Sequence, residues 1–215
     1  MKKLAVTLVL FSAFSIFYCK NPAADKPKAE TGPAAIKQEE SSSSKAEDSK
    51  NVSISLSEAN LSVGFVGSKV TGSHEGKFEK VSGTVKSPEL SPTKASVKIS
   101  IDMSSVKSDS EKLDEHLKSP DFFDSAKFPE ALFESTAITA SSDTPESFNI
   151  SGNLTLHGVT KLITFPAKIS VIENRIKMQT EFSINRKDFD IVYPGMPDDL
   201  IRDEVLIKLS FDSVF

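Results

Sequence analysis

The chain has 215 residues, a length that suits one domain with appendages or two small domains. It carries 26 Lys and Arg against 30 Asp and Glu, so its net charge is −4, and no basic cluster is present that would favour nucleic acid as a partner. The single Cys excludes an internal disulfide and a zinc site built on several thiolates. Fifteen Phe with no Trp and two Tyr indicate dry apolar space, because Phe has no polar group to satisfy.

Residues 1–18 have the form of a signal peptide. Two Lys precede an uncharged apolar stretch, Leu4 to Tyr18, which is too short for an ordinary membrane-spanning helix. The run Ile16-Phe17-Tyr18-Cys19 resembles a bacterial lipobox, in which the Cys is acylated and becomes the mature amino terminus. Tyr18 departs from the small residue usual at that position, so an ordinary secretory signal and an uncleaved anchor stay open as alternatives. All of these alternatives export the chain.

We therefore expect a lipoprotein in the periplasm or at the cell surface, held in a membrane by a lipid on Cys19. Lys20 follows this Cys instead of the Asp that marks inner-membrane retention in some bacteria, which favours the outer membrane. The next residues, up to Lys50, are mostly Ala, Pro, Lys, Glu and Ser. Such a composition cannot bury enough apolar surface to offset the entropy of ordering, so residues 19–50 are predicted to form a disordered tether.

From residue 51 to residue 215 the sequence pattern changes to short runs in which apolar and polar residues alternate. A period of two over many segments is typical of antiparallel strands with one dry face. The phase slips between Phe78 and Val81, which favours a bulge or a sharply bent strand. The clearest runs are Val97, Ile99, Ile101 and Met103; Ile163, Phe165, Ala167, Ile169 and Val171; and Val205, Ile207, Leu209 and Phe211.

One region breaks this alternation. Ser108 to Lys118 is predicted to be a helix, capped by Ser108 or Ser110, with Leu113 and Leu117 on one face and Pro120 ending it. About eight strands and one helix in a domain of this length predict an all-β fold, an eight-stranded antiparallel barrel with one short helical insertion. The interior of such a barrel is filled by side chains or holds one small ligand.

Several sequence motifs of the domain resemble those of the YceI-like family and occur in the same order. Together they extend from about Ser57 to Phe211. They are Gly64-Phe65-Val66-Gly67-Ser68-Lys69-Val70-Thr71-Gly72-Ser73-His74, Asp114-Glu115-His116-Leu117-Lys118-Ser119, Asp121-Phe122-Phe123-Asp124, Phe128-Pro129 with Phe133, Leu154-Thr155-Leu156-His157-Gly158-Val159-Thr160-Lys161 and Ile184-Asn185-Arg186-Lys187-Asp188-Phe189. The resemblance implies a lipocalin-like barrel, exported to the periplasm, that binds a polyisoprenoid or similar long amphiphile and has no catalytic residues.

One departure from the family affects the expected ligand. Leu113 stands where the family commonly has an Arg before the Asp of the helix motif. A neutral or quinone-like head group is therefore more consistent with this chain than a phosphate. Burial of about 0.8 kcal/mol per CH₂ means that a twenty-carbon chain already approaches the practical ceiling of binding free energy, so shape and polar groups at the mouth must provide selectivity.

The residues expected to line the lumen share the dry face of the strands and the helix region. From the residues alone they are equally well packed core. The predicted lumen residues are Phe65, Ile101, Met103, Leu117, Phe122, Phe133, Leu154, Phe165, Phe182 and Leu209. The alternative function is a surface-displayed interaction module with a packed barrel and no lipid ligand, and the oligomeric state stays open.

Polar candidates are few. His74, His116 and His157 lie in separate segments without metal-ligand spacing, so no metal and no other cofactor is expected. His116, Asn185 and Arg186 are interpreted either as polar groups at the mouth of the lumen or as structural hydrogen-bonding groups. No G-x-S-x-G elbow or phosphate loop is present, which argues against an enzyme.

Overall fold

The computed structural model describes residues 21–36, 51–142 and 144–215. The expected signal peptide and the expected lipidation site, Cys19, lie outside these residues. The strands are β1 Glu30–Pro33, β2 Asn51–Ser57, β3 Leu61–Ser68, β4 Ser73–Phe78, β5 Val81–Pro88, β6 Ser96–Asp102, β7 Val106–Ser108, β8 Glu130–Ala140, β9 Ser147–Leu156, β10 Val159–Ile172, β11 Arg175–Asn185, β12 Gly195–Met196, β13 Asp199–Leu200 and β14 Glu204–Val214. The helix α1 is Glu111–Lys118, and short 3-10 helices are Pro92–Lys94, Met103–Ser105 and Arg186–Phe189.

The strands form a curled antiparallel sheet. Its 12 strands follow the order β2-β5-β6-β8-β9-β10-β11-β14-β3-β4-β7, with β1 on the side of β10, while β12 and β13 form a separate hairpin. The predicted all-β, lipocalin-like fold with one helical insertion is confirmed, but the predicted count of eight strands is wrong. Strands as short as β1 (4 residues) and β7 (3 residues) carry too few apolar positions to show a period of two.

The long strands follow the alternation in the sequence. In β10, which has 14 residues, Ile163, Phe165, Ala167 and Ile169 are buried and the residues between them are more exposed. His157 and Gly158 link β9 to β10 with φ angles of 51° and 76°, the left-handed pair that a tight hairpin requires. The chain therefore turns back at once, and β9 and β10 pair along their full common length.

Helix α1 is shorter than predicted. It begins after Ser110, whose side chain makes no capping hydrogen bond, and it ends at Lys118. Asp114 is buried and accepts hydrogen bonds from the Ser108 backbone N–H (2.6 Å) and hydroxyl (2.7 Å), which lower the pKa of its carboxyl. These two hydrogen bonds connect α1 to the end of β7. No helix in the described ranges is long and apolar enough to cross a bilayer.

The phase slip near Phe78 has a different cause from the one predicted. It is neither a bulge nor a bend, because β4 ends at Phe78 and a new strand, β5, begins at Val81. β4 lies between β3 and β7, whereas β5 lies between β2 and β6. The phase slip therefore marks the point where the chain leaves one part of the sheet and enters another as a new strand.

The prediction of a disordered tether over residues 19–50 is wrong for residues 21–36. Glu30–Pro33 forms β1 and pairs with β10, and Lys28 forms a bridge with Ser183 of β11. Ala23 and Ala29 are buried, Ala23 against Val66 and Leu206 on β3 and β14. Backbone hydrogen bonds hold this segment, and they need no large apolar side chains, so its composition carried no signal of order.

Candidate functional site

The sheet encloses an apolar cavity of about 210 Å³. It extends from the α1 end, near Leu117 and Ile191, to the opposite end, near Ile138 and Ile176. Every lumen residue predicted from the sequence lines it: Phe65, Ile101, Met103, Leu117, Phe122, Phe133, Leu154, Phe165, Phe182 and Leu209. Seven of these residues lie on strands, on the inward side that the alternation predicts, and Met103, Leu117 and Phe122 lie outside the strands.

Two groups of aromatic rings shape this cavity. Phe65, Phe78 and Phe123 form the first, with ring centroids 5.8 to 6.4 Å apart. The second joins Phe133 to Phe165 at 5.7 Å and Phe165 to Phe182 at 4.1 Å. The rings of Phe165 and Phe182 are stacked with an angle of 8° between their planes. Two of these rings were not among the lumen residues predicted from the sequence.

The two missed residues are Phe78 and Phe123, and both also line the cavity. Phe78 is the last residue before the phase slip, and Phe123 lies in the irregular segment after α1, so neither belongs to an alternating run. The sequence feature that could have indicated Phe123 is the high density of Phe after Pro120.

Phe133 packs directly on backbone. A Cβ atom at Gly152 would lie 2.4 Å from the Phe133 Cζ atom and 2.6 Å from the Glu134 carbonyl oxygen. Only glycine leaves room for the ring at this position, because neighbouring strands β8 and β9 pair here. This part of the cavity wall is therefore tightly packed.

Arg186 is the one charged residue among those lining the cavity in the described chain. Its guanidinium donates to the Ile191 carbonyl (2.6 Å), the Arg202 carbonyl (3.2 Å) and the Asp203 carboxylate (3.2 Å). Burial lowers the pKa of Arg186, and the carboxylate of Asp203 acts against that shift. Arg186 therefore lines the cavity, and its hydrogen bonds join the loop after β11 to the start of β14.

The other two residues considered for the mouth, His116 and Asn185, are not among those lining the cavity. The His116 ring packs edge-on against Phe122 (4.9 Å) and Tyr193 (5.0 Å), and its Nε2 lies 3.0 Å from Asp121 Oδ2. The Asn185 side chain accepts from the Lys187 backbone N–H at 2.9 Å and so caps the short helix that follows. Both residues therefore make the local contacts that the structural interpretation describes.

The remaining histidines are also engaged in local contacts. His157 Nδ1 lies 3.2 Å from the Phe189 carbonyl oxygen, and His74 Nδ1 lies 2.7 Å from Asp109 Oδ1. No group of three or more His, Cys, Asp or Glu within the described ranges is placed to hold a metal ion.

One side of the cavity wall has a discontinuity, which we call the seam: the stretch where β10 and β11 diverge between Lys161–Ala167 and Thr180–Asn185. β10 and β11 pair only from Lys168↔Gln179 to Ile172↔Arg175. Residues 27–33 fill the seam, parallel to β11 and antiparallel to β10.

Three contacts define how the seam is filled. The Ser183 N–H donates to the Pro27 carbonyl at 2.8 Å, and the Ala29 N–H donates to the Ser183 carbonyl at 2.8 Å. Pro166 has no N–H for a ladder, and its carbonyl accepts from the Thr180 hydroxyl instead. The proline therefore lies where the direct pairing of β10 with β11 stops.

An antiparallel sheet curled around an apolar cavity defines a lipocalin-like architecture. The model of the YceI-like domain matches residues 54–213, so the chain belongs to the YceI-like family and the resemblance seen in the sequence is confirmed.

Comparison with known proteins gives the same family and fold. "Protein YceI" of Salmonella arizonae is 36% identical over 122 residues, which are 54% of this chain and 62% of that protein, so the match spans less than two thirds of this relative. BcnA of Burkholderia cenocepacia superposes with a TM-score of 0.62 and 25% identity, covering 73% of this chain and 98% of BcnA. A polyisoprenoid-binding domain from Saccharophagus degradans gives a TM-score of 0.60 at 18% identity, covering 76% and 98%.

Proposed function

We propose that this protein binds a polyisoprenoid or a similar long-chain amphiphilic lipid in its cavity and carries or sequesters it, without catalysing a reaction. The observation that carries the proposal is a cavity of about 210 Å³ whose lining is almost entirely Phe, Ile, Leu, Val and Met. Burial of apolar surface is the dominant favourable term in such a site. The polyisoprenoid-binding domain with the same fold supports the same ligand class.

The polar groups of the lining favour a neutral head group. Ser87 donates its hydroxyl to the Ser91 carbonyl at 3.1 Å, and the guanidinium of Arg186 is bonded to two carbonyls and to Asp203. Leu113 packs in an apolar cluster with Leu117 and does not line the cavity. A phosphate would find no uncommitted cation here, whereas a hydroxyl or quinone head needs none.

The size of the cavity limits what it accepts in this conformation. A dry cavity of about 150 Å³ is enough to bind one benzene ring. A cavity of about 210 Å³ therefore holds only a fragment of a long isoprenoid. A longer chain requires part of the wall to move. The rival interpretation, an interaction module with a packed interior, gives no reason for a cavity in the middle of the sheet.

We further propose that the protein is an extracytoplasmic lipoprotein held by Cys19, in the outer membrane. Ala23 is buried against Val66 and Leu206, close to where β14 begins. Cys19 precedes Asn21 by two residues, and such a length of chain reaches about 7 Å. An acylated Cys19 would therefore hold the α1 end of the sheet near the bilayer, which a flexible tether of 30 residues would not.

Lipid binding is tested by purifying the full chain, extracting it with organic solvent and identifying bound lipid by mass spectrometry. Ala131 lines the cavity and Ala137, on the same strand, is exposed. Ala131→Phe adds a ring inside the cavity and is expected to reduce bound lipid at least tenfold, because the added ring takes the space of the ligand.

Ala137→Phe is the matched control and is expected to retain the lipid. Circular dichroism of both variants checks that the sheet is intact. The proposal fails if no lipid co-purifies and added geranylgeraniol does not bind, or if the folded Ala131→Phe variant retains as much lipid as its control.

A further inference from the structure

We propose that residues 27–33 are a displaceable strand that closes a side opening of the cavity, and that the lipid chain enters between β10 and β11 when this segment leaves. This inference rests on the proposed function and adds the route by which the ligand reaches the cavity. It follows from the position of the seam, from the contacts that hold the segment and from the small volume of the closed cavity.

The seam leads directly to the cavity. Ile163 and Phe165 on β10, and Phe182 and Ile184 on β11, line the cavity on the two sides of the seam. Ala29 is the residue of the segment that packs with this core. The stacked rings of Phe165 and Phe182, 4.1 Å apart, are the next layer inward. Removal of the segment therefore exposes apolar lining, not a second layer of backbone.

The segment is held by backbone hydrogen bonds to β10 and β11, and its side chains add little. Within residues 27–33 only Ala29 is buried, and burial of a single methyl group contributes little. The flanking ion pairs, Lys26 with Glu181 and Lys28 with Glu204, join side chains that are 38–58% exposed. Pairs of this kind contribute little to stability. Local release of the segment therefore needs much less free energy than unfolding of the sheet.

No backbone ladder between β10 and β11 has to break when the segment leaves. Their direct pairing ends at Lys168↔Gln179, and beyond it each strand pairs with the segment. β10 stays paired with β9, and β11 stays paired with β14. In the sequence, residues 37–50 separate the segment from β2, so the two strands are not directly connected.

The opening has the width that the ligand needs. Neighbouring strands lie about 4.8 Å apart, so loss of the inserted strand leaves β10 and β11 roughly 9.6 Å apart. That gap admits an extended hydrocarbon chain. It also relieves the size limit, because a chain too long for a cavity of about 210 Å³ can extend into the seam.

The test locks the segment with a disulfide. In a chain with Cys19→Ser, the pair Glu30→Cys and Thr164→Cys joins two residues that face each other in the ladder. The matched pair Thr155→Cys and Thr160→Cys staples the uninterrupted β9–β10 ladder. The probe is geranylgeraniol in phosphatidylcholine vesicles, and uptake is followed by removing the vesicles and measuring protein-bound probe by mass spectrometry.

We expect the oxidised Glu30/Thr164 variant to take up the probe at least tenfold more slowly than its reduced form. The oxidised and reduced forms of the Thr155/Thr160 control are expected to agree within twofold. Equal uptake rates in the oxidised and reduced Glu30/Thr164 variant would overturn the proposed route.

Amide hydrogen exchange provides a readout that does not depend on lipid. The Ala29 and Ser183 amides are expected to exchange at least 100-fold faster than the most protected amides of the β9–β10 ladder, because release of the segment frees both. Equal protection would overturn the displaceable strand even if lipid binds. Failure of wild-type protein to take up any probe, with fast exchange at Ala29 and Ser183, would instead reject the proposed function.

Discussion

The two sides of strand β10 differ in how they are closed. On the β9 side the pairing runs without interruption from Val159↔Leu156 to Lys168↔Ser147. On the β11 side direct pairing covers only the last part of β10, and residues 27–33 fill the rest. β10 therefore pairs with one strand, β9, on one side, and with both β11 and the inserted segment on the other.

The difference has a physical cause in what lies against each side. On the β9 side hydroxyl groups pair across the strands, Ser151 with Thr164 and Thr155 with Thr160, each at 2.8 Å, and the Phe133 ring packs on Gly152. On the β11 side the inserted segment contributes only Ala29 to the core. We therefore expect the two sides of β10 to differ in local stability.

The largest expected effect is on the β9 side. Gly152→Val should lower the free energy of unfolding by about 3 kcal/mol, because the new Cβ atom would lie 2.4 Å from Phe133 Cζ and 2.6 Å from a backbone oxygen that cannot move freely. The measurement is urea unfolding of the full chain, followed by circular dichroism.

Gly32→Val is the control on the other side of β10. No atom lies within 4 Å of a Cβ built at Gly32, so we expect a change below about 0.5 kcal/mol. Similar losses for the two variants would remove the difference between the two sides.

An intermediate effect is expected within the seam. Ala29→Asp places a carboxylate in the core without a partner, at a cost greater than the contacts of the segment supply. The segment should therefore leave the seam while the sheet stays folded, with a loss of about 1–2 kcal/mol in unfolding free energy.

Hydrogen exchange checks this prediction. It should show loss of protection at Ser183 and unchanged protection in the β9–β10 ladder. Ala24→Asp, at an exposed position three residues before the segment, is the control and should leave Ser183 protected. Global unfolding of Ala29→Asp would mean that the segment is an integral part of the sheet.

The smallest effect is a dependence of the seam on pH. The hydrogen bond from Lys26 lowers the pKa of Glu181 below its usual value of 4.5. A carboxyl with a lowered pKa stabilises the folded contact at neutral pH, and this contribution is lost as the pH falls from about 4.5 through the lowered pKa. Protection of the Ala29 amide, corrected for intrinsic exchange, should therefore decrease over this acidic range.

Glu181→Gln should show the reduced protection already at pH 7 and lose that part of the pH dependence. The hydroxyl pair of Thr155 and Thr160 has no group that titrates in this range, so it provides the comparison on the β9 side. An identical pH response in Glu181→Gln and in the unsubstituted chain would show that this ion pair does not hold the segment.

The alternation of apolar residues made much of the site predictable. Inward-facing positions such as Ile101, Phe165 and Leu209 follow from a period of two, and all of them line the cavity. Phe78 and Phe123 lie outside regular alternation and were missed for that reason. Arg186 was identified as a candidate, but its role as a link between Ile191, Arg202 and Asp203 depends on contacts that no local pattern indicates.

The sequence by itself determined the class of fold, the inward face of the strands and the family, because these depend on local periodicity and on the order of short sequence motifs. Only the tertiary structure decided that residues 27–33 belong to the sheet, since their place depends on a gap between β10 and β11 that forms when the distant strands assemble. Backbone hydrogen bonds fill such a gap with almost any side chains, so a segment with no large apolar side chain became part of the sheet.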